Sequence, residues 1–280
     1  MKNILVAGAT GYLGNFILEE LKKQGCRVVA IARNPDKLKN HSVDQVIRAE
    51  VTQPETLDGI CSNIDCIIST VGITRQKDGL TYMDVDYQAN ANLLVEAEKS
   101  NVKKFVYVSV LNGRLLRDLK MVAAKERFVK KLKSSSLDYV IIRPNGFFSD
   151  MTEILNMARK GPVYLFGTGE YQGNPVHGAD LAEFIVRNLD RRNVELEVGG
   201  PQILTQNEIA ESAFDILGKK AKIMHIPLWI RDLTLKLIRW FSSEKTYGPI
   251  EFFMTVMTLD MIAPQYGHHR LSEYFREIVK

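Results

Sequence analysis

The stretch ILVAGATGYLG at residues 4–14 decides the fold of this chain. Its apolar first half predicts a buried parallel strand, and the residues after its third glycine predict an amphipathic helix. Glycine permits a tight turn and a close backbone approach, and the N-terminus of a helix attracts anions. The stretch therefore predicts a turn that holds the pyrophosphate of a dinucleotide. The expected contacts come from Gly8, Thr10, Gly11, Tyr12, Leu13 and Gly14.

The second strand pattern, at residues 27–32, indicates which dinucleotide the turn binds. The glycine spacing is GxxGxxG, which also occurs where glycine only packs a helix on a strand, but a strand directly behind the helix favours binding. This strand ends without the carboxylate that holds the ribose 2′-hydroxyl of NAD; Arg33 stands there, and Lys37 follows one helical turn later. We therefore expect NADP(H) rather than NAD(H), the alternative being that Arg33 is only a surface residue.

Further contacts with the dinucleotide are expected where the next two strand patterns end. Glu50 and Val51 follow the third pattern, and we expect them beside the adenine. Thr70, Val71 and Gly72 follow the fourth, and we expect them under the nicotinamide half. Ligands of open α/β sheets bind outside the carboxyl ends of the strands, which is where these residues lie.

Alternating strand and helix patterns predict the fold class and its two parts. Apolar strand patterns lie at 3–7, 27–32, 44–47, 65–70, 104–109 and 138–142, with helical patterns near 12–24, 53–61, 84–100 and 118–134. This alternation predicts an α/β fold with a doubly wound, Rossmann-like parallel sheet over residues 1–150. Shorter elements follow at 163–166, 178–189, 194–198, 206–217, 222–226, 228–241 and 270–279. We expect residues 151–280 to form a smaller α/β capping lobe, from which about 174–200 pack back on the sheet.

The composition excludes several classes of function. The net charge is only +4, and no compact basic stripe with interleaved aromatic residues predicts a nucleic-acid partner. Cys26, Cys61 and Cys66 show neither CxxC spacing nor a nearby histidine, so we expect no metal site and a reducing compartment. No apolar run is long enough to span a membrane, and the start of the chain leaves no room for a signal peptide. A cytoplasmic protein is the resulting expectation.

Several motifs, in their order along the chain, resemble the atypical branch of the short-chain dehydrogenase/reductase superfamily. They are GATGYLG at 8–14, DYQAN at 86–90, KFVYVS at 104–109, LDYVIIRPNGF at 137–147 and NPVHGADLA at 174–182. The chain is similar to the NmrA-like group, and especially to divinyl chlorophyllide 8-vinyl reductases and a related complex I accessory subunit. This resemblance covers nearly the whole chain and implies the fold and a nicotinamide cofactor, but it does not indicate the substrate.

The resemblance also implies a catalytic site, from which one residue is missing. Typical members use a serine or threonine after the fifth strand, then Tyr-x-x-x-Lys on the next helix. Ser109 and Lys125 match the first and last of these, but Met121 occupies the place of the tyrosine. Methionine cannot exchange a proton, so carbonyl–alcohol chemistry is doubtful. We expect Lys125 to hold the nicotinamide ribose, and Ser109 either to contact substrate or cofactor or to cap a turn.

The segment after the sixth strand pattern supplies the remaining candidates. By the resemblance, Pro144, Asn145, Gly146 and Phe147 are expected to touch the nicotinamide. Together with Met121, the side chains of Phe148 and Met151 either form an apolar substrate pocket or pack in the core. His177 either donates a proton or packs where the lobe begins.

Three interpretations of function remain. The first is an NADPH-dependent reductase of a double bond in a small hydrophobic substrate, working without the tyrosine. The second is a non-catalytic NADP(H)-binding sensor, regulator or assembly factor, since fold does not imply function. The third is a substitute tyrosine, for which Tyr82, Tyr87, Tyr139 and Tyr171 are available.

The segment LWIRDLTLKLIRWF at 228–241 has an apolar stripe at helical spacing and several basic residues. Such a helix either packs within the lobe or makes a peripheral contact with a membrane or a partner. The sequence contains no signal for the oligomeric state.

Overall fold

The computed structural model describes residues 2–41, 43–73 and 79–279. The chain divides into two compact units. The first unit comprises Met1–Arg143 and Leu181–Leu196, and the second comprises Pro144–Asp180 and Glu197–Lys280.

The first unit is built on the predicted Rossmann-like sheet, which the structure confirms. Within the described residues the sheet has seven strands in the order β3-β2-β1-β4-β5-β6-β9. They are β1 (Asn3–Ala7), β2 (Arg27–Ala32), β3 (Gln45–Arg48), β4 (Cys66–Ser69), β5 (Lys104–Val108), β6 (Asp138–Pro144) and β9 (Val194–Val198). The pairs from β3 to β6 are parallel. The strand order reverses between β1 and β4, which is where α/β sheets bind ligands.

The helices of the first unit follow the strands that they connect. They are α1 (Tyr12–Lys23), α2 (Asn90–Lys99), α3 (Lys120–Lys133) and α5 (Gly178–Arg187), which spans the boundary between the units. A π-helical segment, Met83–Ala89, leads directly into α2. Apolar residues of the sheet, α2 and α3 form one buried cluster, in which Phe128 of α3 packs against Phe105 and Tyr107 of β5. This packing orients α3 on the sheet.

The second unit consists mainly of helices with two small sheets. Its elements are α4 (Phe148–Lys160), β7 (Val163–Phe166), β8 (Gln172–Gly173), β10 (Leu204–Thr205), α6 (Gln206–Ile216), β11 (Ile223–Ile226), α7 (Leu228–Phe241), α8 (Glu244–Val256) and α9 (Leu271–Val279). β7 pairs with β11 in parallel, and β8 pairs with β10 in antiparallel orientation. The apolar sides of α4, α6 and α9 form its core.

Two helical regions differ from the sequence-based expectation. The pattern at 53–61 predicts a helix, but only a 3₁₀ turn forms over Pro54–Leu57, because Asp58 is extended and Gly59 has a positive φ of 73°. Conversely, α4 and α8 were not predicted. The α8 sequence contains Gly248 and Pro249, which usually argue against a helix interior.

A buried arginine joins β6, α3 and β9 within the first unit. The Arg143 guanidinium donates two hydrogen bonds to Glu126, at 2.6 and 3.1 Å, and one to Glu195, at 2.7 Å. Glu195 also accepts hydrogen bonds from Lys133 and Arg114. Burial raises the pKa of Glu195, but the hydrogen bonds from Lys133 and Arg143 outweigh this effect and lower it to about 2. Glu195 is therefore ionised at neutral pH.

Replacing Arg143 with alanine is expected to destabilise the fold strongly. The variant leaves two carboxylates without their shared buried partner, and losing one member of a buried ion pair costs about 3–5 kcal/mol. Urea unfolding followed by circular dichroism measures the change. Arg114→Ala is the matched control: this arginine binds the same Glu195 but is exposed, so its loss is expected to cost less than about 1 kcal/mol. Equal effects of the two variants would contradict the account.

Candidate functional site

The glycine turn after β1 brings backbone segments closer together than a side chain would allow. Gly8 has a φ of +82°, and a Cβ atom there would collide with the Thr70 hydroxyl. A Cβ atom on Gly14 would overlap the Gly8 carbonyl oxygen and lie 2.8 Å from the Ala9 Cα. Gly11 is the N-cap of α1 and supplies no side-chain cap. The N-terminus of α1 thus lacks a side-chain cap, and helix N-termini attract anionic ligands.

A cleft of about 400 Å³ opens beside this turn, at the carboxyl ends of β1 to β4. It brings together nine residues expected to hold the cofactor: Gly8, Thr10, Gly11, Arg33, Glu50, Val51, Thr70, Val71 and Gly72. The remaining residues of the turn, Tyr12, Leu13 and Gly14, belong to the first turn of α1. Leu13 and Gly14 are buried, and the Tyr12 ring packs edge-on against Phe16.

A basic corner adjoins the cleft, and one of its residues was not predicted. A second cavity, of about 510 Å³, shares Arg33 with the cleft and is also lined by Arg48, at the end of β3. The Arg33 Nε atom lies 3.4 Å from the Glu50 carboxylate. Lys37, which was expected here, is exposed and lines neither cavity. Arg33 was selected because it follows the carboxyl end of a strand. The same rule applies to Arg48, because it ends β3 and pairs with Ala32 at the end of the neighbouring strand β2.

Lys125 forms a buried ion pair that the sequence did not predict. Its Nζ atom lies 2.9 Å from the Oδ1 atom of Asp86, which is fully buried in the π-helical segment. The same ammonium lies 5.7 Å from the centre of the Tyr107 ring. Burial lowers the pKa of Lys125, but attraction by Asp86 and Tyr107 and the hydrogen bonds that its ammonium donates to them outweigh that effect and raise it. Lys125 therefore stays protonated at neutral pH.

The ion pair lies directly against the backbone of Gly72, which lines the cleft. A Cβ atom on Gly72 would lie 2.6 Å from the Asp86 Oδ1 atom and 2.8 Å from the Lys125 Nζ atom. The other carboxylate oxygen of Asp86 accepts a hydrogen bond from the Ile73 N–H at 3.3 Å. A positive charge is thus held just behind the cleft wall at the end of β4, and only glycine leaves room for it.

Ser109 and Met121 do not form a proton-transfer pair. The Ser109 hydroxyl donates to Glu126 at 3.4 Å, and Glu126 is held by Arg143. Met121 is buried one turn before Lys125 on α3. Tyr107 lies beside this site, and its hydroxyl donates to the Asp86 carbonyl oxygen at 3.5 Å. Tyr107 is fully buried, and burial raises its pKa, so its environment is that of a structural residue.

The residues expected after the sixth strand belong to the second unit. The Asn145 side chain donates to the Asn174 Oδ1 atom at 2.9 Å and accepts from the Gly146 N–H at 2.8 Å. Pro144 ends β6, and the Phe147 N–H donates to Asp150 at the start of α4. Phe148 lies in the core of this unit, and Met151 packs against that core.

Histidine residues cluster in the second unit. His177 is buried, and its ring stacks on that of His269 at 4.2 Å; burial is the main cause of its lowered pKa. The buried Asp180 carboxylate accepts from the backbone N–H groups of His268 and His269, and one oxygen lies 2.7 Å from the His269 Nδ1 atom. Asp180 thus connects the start of α5 to the segment before α9.

The three cysteines are free and buried. Burial raises the pKa of the Cys61 and Cys66 thiols to about 12, so neither is a thiolate at neutral pH. In the part of the chain that the structure describes, no helix has both the length and the apolar character needed to cross a membrane.

Comparisons with known proteins show the family. A family model described as NAD(P)H-binding matches residues 8–192, a range that contains the glycine turn, the cleft and the ion pair. The chloroplastic divinyl chlorophyllide a 8-vinyl-reductase of Arabidopsis thaliana is 27% identical over 322 residues, covering 99% of this chain and 77% of that protein. The photosystem II assembly factor Ycf39 of Synechocystis is 26% identical over 303 residues, covering 99% and 92%.

A solved structure confirms the fold. The NADPH-dependent quinone oxidoreductase QOR2 of Escherichia coli, crystallised with NADPH, has a TM-score of 0.73 to this chain. The two are 18% identical, and the match covers 99% of this chain and 100% of the other. With the relatives above, it confirms the resemblance that the motifs indicate.

Replacing Asp86 with asparagine is expected to lower the pKa of Lys125. The variant removes the negative charge that outweighs the burial of the ammonium, so a larger fraction of the amine becomes neutral. Labelling with an amine-reactive reagent over a pH series, read by peptide mass spectrometry, measures the titration of Lys125. Asp84→Asn, in the same π-helical segment, is the control, because Asp84 bonds to Thr81 instead. An unchanged Lys125 profile in Asp86→Asn would refute the electrostatic account of the pair.

Proposed function

The chain belongs to the NAD(P)H-binding family, and we propose that it is an NADPH-dependent reductase of a carbon–carbon double bond in a hydrophobic substrate. The observation that carries this proposal is the Lys125–Asp86 pair behind Gly72, on a helix that has Met121 in place of a tyrosine. A fixed cation beside the cleft can bind and orient ligands, whereas methionine cannot supply a proton.

The residues of the cleft fit a dinucleotide. Side chains at Gly8 and Gly14 would fill the turn, and the N-terminus of α1 is suited to a pyrophosphate. Glu50 and Val51 are suited to the adenosine half, and Thr70, Val71 and Gly72 to the nicotinamide half. When bound, a reduced nicotinamide supplies a hydride.

The chain's own residues would orient the reaction rather than supply its proton. Lys125 would hold the nicotinamide ribose and stabilise negative charge that develops on the substrate, since preorganised charges lower such barriers. Its raised pKa makes it a weak proton donor, so we assign to water the proton that completes the reduction after hydride transfer. Such a mechanism suits a polarised carbon–carbon double bond, where water protonates a carbon atom, better than a carbonyl group, whose oxygen is protonated by the tyrosine in typical members.

The relatives support a substrate class. The Arabidopsis protein is named as an 8-vinyl-reductase of divinyl chlorophyllide a. We propose a conjugated vinyl or enone group on an aromatic or otherwise apolar compound as the substrate of this chain.

A second candidate is a binding protein that senses NADP(H) without chemistry. It is favoured by the two positions at which family members carry proton-transfer residues: Ser109 bonds to Glu126, and Met121 replaces the tyrosine. The relationship to a protein named as an assembly factor also supports it. The two candidates share the cofactor and differ only in turnover.

Turnover distinguishes the two candidates. We expect the wild-type chain to oxidise NADPH, followed by absorbance, in the presence of at least one member of a panel of enones, vinylarenes and vinyl tetrapyrroles. In protein shown by circular dichroism to be folded, Lys125→Ala is expected to lower kcat by about a hundredfold, the order found when one preorganised electrostatic contact is removed. Lys120→Ala, on an exposed side of the same helix, is the matched control. NADPH binding without turnover on any compound would instead favour the sensor.

We expect Arg33 and Arg48, the arginines of the basic corner, to favour NADPH over NADH. Arg33→Ala and Arg48→Ala are each expected to weaken NADPH binding by about tenfold or more while leaving NADH binding nearly unchanged, because a hydrogen bond to a charged group contributes about 1.5–3 kcal/mol. Calorimetric titration of both cofactors measures the ratio. Arg27→Ala is the control, since Arg27 begins the strand that Arg33 follows. If the binding of both cofactors weakens equally, the arginines do not bind the 2′-phosphate.

A further inference from the structure

Helix α7 exposes its largest apolar side chains. Trp229, Trp240 and Phe241 are 65%, 83% and 79% exposed, and Leu233 and Leu237 are exposed as well. No residue of α7, the whole of which the structure describes, is buried. The alternative that this helix only packs within its unit therefore does not account for its apolar residues.

The exposed residues form one stripe along the helix. Trp229, Leu233, Leu237 and Trp240 recur at spacings of four, four and three residues, which align on one side of an α-helix. Polar contacts attach the helix at other positions: Arg239 pairs with the buried Glu251 of α8, and Arg231 donates to Thr258. The helix is thus held in place while its apolar stripe remains uncovered.

The segment of sequence that contains α7 is rich in basic residues. Residues 219–245 contain seven lysine and arginine residues and two acidic residues, a net charge of +5. The whole chain carries only +4, so the other residues together are close to neutral. Lys236 is exposed on α7 itself. A partner for this surface therefore has to combine an apolar interior with negative charge.

We propose that α7 inserts its stripe into the interface of a lipid bilayer with anionic headgroups. Tryptophan is favoured at this depth because its ring is apolar and its N–H group is polar, and basic side chains extend to the headgroups. A second copy of the chain fits less well, because it would bring two segments of net charge +5 together. This inference does not depend on the reductase activity.

The two tryptophans of the chain, Trp229 and Trp240, both lie in α7, so selectively excited tryptophan fluorescence reports on this helix alone. We expect full-length protein to float with vesicles of 70% phosphatidylcholine and 30% phosphatidylglycerol, with a blue-shifted emission. Lipids brominated near the headgroup are expected to quench this emission more than lipids brominated at the acyl end. Vesicles of phosphatidylcholine alone, or high salt, are expected to weaken binding by about tenfold or more, since each basic residue near an anionic surface contributes about 1 kcal/mol.

Matched variants test the apolar and the electrostatic contributions to membrane binding separately. The double variant Trp240→Ser/Phe241→Ser is expected to weaken partitioning by about tenfold or more through lost apolar burial, whereas Leu115→Ser, which removes another 79% exposed side chain, is expected to change nothing. Lys236→Glu is expected to weaken binding to anionic vesicles by about tenfold. Lys130→Glu, which makes the same charge change on α3, is the control.

Four results would overturn the proposal. They are no flotation with anionic vesicles, equal binding to neutral vesicles, equal losses in the variants and their controls, and a dimer in light scattering that the double variant abolishes without any vesicle binding. Calorimetric NADPH titration of each variant separates this test from the proposed function, because α7 contributes no residue to the cleft.

Discussion

The Lys125–Asp86 ion pair is the interaction on which the site depends. It joins α3 to the π-helical segment and lies against Gly72. The pair thus contacts three segments of the first unit: α3, the π-helical segment and the residues that follow β4. Removing either partner would leave the other buried and unpaired, which is strongly destabilising. The pair therefore both positions the end of β4 and keeps a cation beside the cleft.

Much of this arrangement could be predicted from sequence because it depends on local patterns. The glycine turn follows from spacing, and Arg33, Thr70 and Gly72 follow from the rule that strand ends line the site. The resemblance includes both Asp86, in the DYQAN motif, and Lys125, but it does not predict that they pair, because they lie 39 positions apart and their contact depends on tertiary packing.

Other features had no reliable local signal. Tyr107 alternates with apolar residues on β5 and reads as a core residue, although its hydroxyl lies near the ion pair. An apolar stripe with the spacing found in α7 is typical both of a helix packed in a protein core and of a helix whose apolar side is exposed. Only the structure shows that the stripe of α7 is exposed. Helix α8 was obscured by Gly248 and Pro249, because tertiary packing can override the weak helix propensity of such residues.

The central claim is that the glycine turn and the cleft bind a dinucleotide with a 2′-phosphate, NADP(H). Calorimetric titration of the wild-type chain with NADPH, NADP⁺, NADH and NAD⁺ tests this claim most directly. The account predicts saturable binding of one NADPH per chain, tighter than that of NADH, and its loss in Gly8→Val, where a side chain would enter the turn. No binding of any dinucleotide, or unchanged binding in Gly8→Val, would contradict it.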